Sequence, residues 1–223
     1  MSDDDTRESL FQSIEQGERE QVERLIAAHP ALASARNDAG VSATLYSLYY
    51  REPEIATLLA DAGAEISVFE AAALGRADAL SSLLTMDPSQ ANAVSADGFT
   101  PLGLAAFFGQ PAAAQILLAR GADPNTASAN AMRVAPLHSA VAAQQLDIAE
   151  ALLRYGAQAN AAQADDFTPL HEAAQNGQVE MIALLLAHGA DPAARKSDGQ
   201  TPLDVARAHG QDAAAALLSS LPS

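Results

Sequence analysis

Cysteine is absent from the 223 residues, which excludes disulfides, thiolate metal sites and cysteine nucleophiles together. Tryptophan is absent too, and aromatic residues make up only 4% of the chain. A core must therefore be built mainly from Ala, Leu, Ile and Val, and such small side chains imply closely spaced helices. Positive charge is scarce: 12 Lys and Arg stand against 28 Asp and Glu, a formal net charge of −16. Phosphate backbones and anionic lipid are bound through clustered bases, so neither nucleic acid nor a membrane surface is expected as a partner. No stretch approaches membrane-spanning length, and the acidic segment Met1 to Glu8 lacks the basic start and apolar run of a secretory signal. A soluble, cytoplasmic protein is the expectation. Lys196 is the one lysine, and with abundant alanine this is the bias of a GC-rich coding sequence, which sets the expectation of a bacterial source.

What the chain does have is a repeat. The strings Thr100-Pro101-Leu102-Gly103, Ala135-Pro136-Leu137-His138, Thr168-Pro169-Leu170-His171 and Thr201-Pro202-Leu203-Asp204 place their prolines 35, 33 and 33 residues apart. Each is followed by an Ala-rich stretch, a short break and an apolar run; the first three units then close with Gly121-Ala122, Gly156-Ala157 and Gly189-Ala190. This pattern resembles the ankyrin repeat, at its length of about 33 residues. The resemblance is strong from Asp97 onward; before that only the frame persists, with Gly63-Ala64 over Gly189-Ala190 and Ser42-Ala43-Thr44 over Thr168-Pro169-Leu170.

In that frame the turn inside each unit falls at Gly17, Arg51, Gly75, Gly109, Gln144, Gly177 and Gly210. The fold expected from the resemblance is an all-α solenoid of about seven helix-turn-helix repeats with short finger loops, forming one domain over 1–223. A capping repeat spans about 7–37, inner repeats span about 38–66, 67–96, 97–131, 132–164 and 165–197, and a second cap spans 198–223. The interval from Arg51 to Gly75 is only 24 residues, so the finger around Glu65-Ile66-Ser67 should be missing. In the loops after His29-Pro30 and Asp87-Pro88, proline replaces the helix-ending glycine, and two extra residues near Met132-Arg133 mark a third irregular loop.

The residue types explain the unit. A Thr hydroxyl caps a free backbone N–H, and proline in the first helical turn lacks a donor that would be orphaned there anyway. Ile148, Leu152 and Leu153, like Val179, Ile182, Leu185 and Leu186, repeat at helical spacing, so each outer helix shows one apolar face that a lone pair cannot hide. Stacking buries it, and the first and last units must then be polar outside, as Arg7, Glu8, Glu15, Glu18, Arg19 and Glu20 suggest.

No constellation for catalysis emerges. The five histidines show no His-x-x-x-His spacing, no serine sits in a Gly-x-Ser-x-Gly elbow, and pairs such as Asp165-Asp166 are ordinary solvated surface in so acidic a chain. The resemblance implies that His138 and His171 are structural, hydrogen-bonding near the Thr and between neighbouring repeats. No enzyme activity, metal or cofactor is expected.

The resemblance further implies a protein partner held in a concave groove between finger tips and inner helices. Carried over position by position, the groove receives Tyr49-Tyr50, Ala73-Leu74, Phe107-Phe108, Ala142-Ala143, Gln175-Asn176 and Arg207-Ala208, with Val41, Phe99, Val134 and Phe167 from the fingers. Four of the ten aromatic residues thus gather at 49, 50, 107 and 108, and the middle third of the chain (71–148) carries only 5 acids and 3 bases. Aromatic side chains are typical anchors of protein interfaces, which makes Tyr49, Tyr50, Leu74, Phe99, Phe107 and Phe108 the candidate contact residues. Tyr49 and Phe107 are the expected outward members of their pairs, and Tyr50 and Phe108 have the alternative of packing under the next repeat. The expected partner is a basic protein steered by the acidic flanks, and the chain is expected to be a monomer. Alternatives are a dedicated inhibitor or stabiliser of one enzyme, and self-association through the aromatic patch.

Overall fold

Helices begin where the sequence sets a hydroxyl ahead of the helical run. Thr100 Oγ1 accepts from Gly103 N at 3.0 Å, Thr201 Oγ1 from Asp204 N at 3.2 Å and Thr168 Oγ1 from His171 N at 3.4 Å. Ser42 and Ser67 cap in the same way where the motif is degraded, accepting from Leu45 N and Phe69 N at 3.2 Å.

The computed structural model describes residues 3–221, and these hold fourteen α-helices in seven pairs. They are α1 (Asp3–Glu15) with α2 (Arg19–Ala28), α3 (Ala43–Tyr49) with α4 (Pro53–Asp61), α5 (Val68–Ala73) with α6 (Ala77–Met86), and α7 (Pro101–Phe107) with α8 (Pro111–Ala119). There follow α9 (Pro136–Ala142) with α10 (Leu146–Arg154), α11 (Pro169–Gln175) with α12 (Val179–Ala187), and α13 (Pro202–Ala208) with α14 (Asp212–Ser219). The prolines after His29 and Asp87 open short 3-10 turns, Pro30–Ser34 and Pro88–Asn92, which account for the longer connections there. No described residue lies in a strand.

Odd helices stack on odd and even on even, so the molecule is a two-layered helical solenoid. Within each pair the turn residue takes a left-handed φ between 60° and 69°, at all seven positions marked in the sequence, including the non-glycines Arg51 and Gln144. At Gly75 the space is also occupied, since a Cβ would lie 2.1 Å from Gln110 Oε1 of the next pair, whereas at Gly210 it is open. Between layers the buried side chains are the small apolar ones that composition demanded. Leu117, Leu152, Leu170 and Leu185 have no exposed surface, and each such burial stabilises the fold by about 2 kcal/mol.

The fingers are single closed turns: Asn37 N donates to Val41 O, Ser95 N to Phe99 O, Gln163 N to Phe167 O and Lys196 N to Gln200 O, at 2.9–3.0 Å. The finger with two extra residues closes between Ser128 N and Val134 O at 2.9 Å. Successive fingers are laced by one backbone bond each, Ala129 N to Gly98 O (2.8 Å), Ala164 N to Met132 O (3.1 Å) and Ser197 N to Asp165 O (3.0 Å), and Ser197 Oγ adds a bond to Asp166 Oδ2 at 2.8 Å. Residues 62–67 carry no such closed turn, so α4 runs into α5 without a finger.

That shortened junction divides the core. One apolar cluster is centred on Leu10, Ile14, Ile55 and Leu59 of the first two pairs, and another runs from Val68 to Leu218 through the remaining five. The outer helices α4 and α6 scarcely meet, whereas other neighbouring outer helices pack side by side. The two parts are joined on the inner side by a third cluster of Val41, Leu45, Ala73 and Leu104.

Candidate protein-docking face

The face between fingers and inner helices is shaped by the absent finger. With none before α5, the finger of residues 37–41 comes against that of residues 95–99: a Cβ on Gly40 would lie 3.1 Å from that of Ala96. Tyr49, at the end of α3, spans the same gap and donates its hydroxyl to Asp97 Oδ2 at 2.6 Å. Its ring packs on Phe108 with centroids 5.6 Å apart, and Phe108 meets Phe107 edge to face at 5.1 Å. Burial, and then the Asp97 hydrogen bond, push the Tyr49 phenol well above its ordinary pKa, so it stays a donor at all physiological pH.

The six candidate contact residues therefore sit close together but in different states. Tyr50 and Phe107 are exposed, at 44% and 47%, while Tyr49, Leu74, Phe99 and Phe108 are half-buried. For the first pair this reverses the expected order, since Tyr50 faces outward and Tyr49 is pinned beneath. The reason is the partner at Asp97, 48 residues away, which the missing finger brings within reach. Phe99 packs against the Val41–Leu104 cluster along with Tyr49 and Phe108.

Three residues outside the repeat frame extend the row. Phe11 meets Tyr46 edge to face at 5.0 Å, Tyr46 lies 4.7 Å from Tyr50, and Glu15 Oε1 accepts from both tyrosine hydroxyls, at 3.4 Å from that of Tyr50. Burial and the Glu15 contact raise the Tyr46 pKa. The signal was present in the sequence as the i, i+4 pair Tyr46 and Tyr50 and the pair Phe11 and Glu15.

The polar groups beneath this face hold the repeats together. His171 Nδ1 accepts from Thr168 N at 3.2 Å and lies 2.8 Å from Thr168 Oγ1, while Nε2 is 3.2 Å from Gln200 O of the next finger. This is the staple that the resemblance implied. His138 Nε2 reaches Phe167 O in the same way at 3.2 Å, but its Nδ1 is buried without a partner because Ala135 stands where a Thr would be. Burial lowers the pKa of His138 to about 4 and also lowers that of His171, so both are neutral at pH 7.

In α5 the staple position holds Glu70, 1% exposed. A carboxylate has no proton to give to a following carbonyl, so it turns to donors instead: Ser42 Oγ at 2.7 Å, Ser67 N at 2.9 Å and Ser67 Oγ. It thus joins the caps of two successive inner helices across the fingerless junction. A further set, Asn92, Asn125 and Asn160, donates from each amide to the carbonyl of Gly121, Gly156 and Gly189 in the next repeat at 2.8–3.0 Å. Their spacing of 33 and 35 residues was a readable signal.

Among the described residues no group of three or more His, Cys, Asp or Glu is placed to hold a metal ion, and no helix is long and apolar enough to cross a membrane. The family model described as ankyrin repeats (3 copies) matches residues 68–163 and, in an overlapping match, 137–222, together well over half of the chain. No curated protein matches the sequence.

Proposed function

From a chain that belongs to the ankyrin-repeat family, whose repeats generally serve as protein–protein interaction modules and are typically not enzymes, we propose a module that docks one partner protein on the inner face of its second to fourth helix pairs. The observation that carries this is a pair of aromatic groups, Phe11–Tyr46–Tyr50 and Tyr49–Phe108–Phe107, which meet in sequence at Tyr49 and Tyr50 and each of which ends in an exposed residue, Tyr50 and Phe107. Exposed aromatic rings on a rigid, hydrogen-bonded support lose little entropy on binding, which favours them as anchors. An interface of ordinary specific size, about 800 Å² per partner, covers both groups together with Leu74. A net charge of −16 steers a basic partner toward it.

The test is affinity capture with wild type and with a Tyr50→Ser, Leu74→Ser, Phe107→Ser variant. Tyr49 is left in place because its hydroxyl braces the fold. Loss of a captured protein by the variant, with unchanged circular dichroism, supports the docking face; equal capture by both overturns it.

A further inference from the structure

Glu15 stands apart from the other charged groups of the inner face. Its carboxylate is solvent-exposed, has no Arg or Lys within ion-pair distance among the described residues, and is oriented by the hydroxyls of Tyr46 and Tyr50. Both hydroxyls donate to one oxygen, Oε1, so Oε2 is left to accept elsewhere. Beside it Tyr50 is 44% exposed as a residue, and its ring is backed by Tyr46 at 4.7 Å, which is itself backed by Phe11. An aromatic face next to an oriented, unneutralised carboxylate is a place where a cation is attracted twice, by the ring quadrupole and by the formal charge. Arg51, the adjacent cation of the chain, forms no ion pair among the described residues.

We propose that Tyr50 and Glu15 form a seat for an arginine side chain of the partner. This rests on the partner lying along the inner face. Arginine fits better than lysine because a planar guanidinium stacks on the ring while an N–H at its edge points to Oε2; an ammonium offers a point charge with no face to stack. The surroundings favour a cation as well, since residues 1–70 hold 14 acids and 5 bases. The apolar residues flanking that arginine would then meet Leu74 and Phe107 farther along the face.

The full-length chain is titrated by NMR, observing aromatic ring signals, with three capped tripeptides: acetyl-Gly-Arg-Gly-amide and its Lys and Leu counterparts. The arginine peptide is expected to shift Tyr46 and Tyr50 saturably, and the lysine peptide to bind at least about threefold more weakly. The leucine peptide should leave those signals unmoved. Glu15→Gln keeps the shape and removes the charge, and should weaken the arginine peptide by about fivefold or more; Tyr50→Phe, which keeps the ring, should weaken it less than Tyr50→Leu. Equal shifts from the leucine peptide, equal binding of lysine, or full arginine binding by Glu15→Gln overturns the seat. Shifts at Phe107 from the leucine peptide, with none at Tyr50 from the arginine peptide, would sink the seat alone and leave the docking face standing.

Discussion

Replacing Glu70 by alanine removes one buried carboxylate and three hydrogen bonds at the one junction where the solenoid has no finger. The Ser42 hydroxyl loses its acceptor, and α5, only six residues long, loses its capping box. Each charge-assisted bond contributes roughly 1.5–3 kcal/mol net and a stranded buried hydroxyl costs about 1–3 kcal/mol, offset by roughly several kcal/mol because the carboxylate no longer has to be desolvated. The sum is a destabilisation of about 2–4 kcal/mol, or a fall in Tm of roughly 5–15 °C for a chain of this length. Because the apolar core is already divided here, the loss should also uncouple the two parts. Three of the four tyrosines, at 46, 49 and 50, lie on or at the end of α3, so tyrosine fluorescence reports the first two pairs while far-UV circular dichroism reports every helix. In urea, the fluorescence transition of Glu70→Ala should move to lower denaturant than the dichroism transition, and farther from it than in wild type. Unchanged midpoints refute the role given to Glu70; a parallel shift of both signals refutes the divided core.

Ala135→Thr supplies the missing partner of His138 Nδ1 and caps α9, and should raise stability by about 1 kcal/mol, or about 2–4 °C in Tm by differential scanning calorimetry. His138, with its folded pKa lowered to about 4, refuses a proton that the unfolded chain accepts below about 6.5, so its contribution is fully present above that pH and is lost as pH falls toward 4. The wild-type curve should drop by up to about 3 kcal/mol more over this window than that of His138→Gln, and coincident pH–stability curves would refute the buried neutral ring. Gly75→Ala forces a Cβ onto Gln110 at a φ of 69° and should cost about 1–2 kcal/mol in urea unfolding.

Much of this architecture is written in short-range signals. Thr or Ser before a helix marks its start, the seven turn positions follow from spacing, and the interval of 24 between Arg51 and Gly75 announces the missing finger. The consequences of that gap are not local. That Tyr49 turns inward and Tyr50 outward depends on Asp97 arriving from a finger two pairs away, and no periodicity within α3 distinguishes the two. Glu70 occupies a position where histidine reaches forward, and only its lack of a proton, combined with the serines at 42 and 67, makes it reach backward. Phe11, Tyr46 and Glu15 lie outside the repeat positions associated with contact, so a reading confined to the repeat frame passes over them.

The docking face is tested most directly by placing a photo-crosslinking phenylalanine analogue at single positions of the full chain in its native host. At Phe107, on the inner face, irradiation should yield one dominant adduct; at Met86, 75% exposed at the end of outer helix α6, it should yield none. Adducts of equal strength at both positions, or at Met86 alone, would contradict a partner held between the fingers and the inner helices.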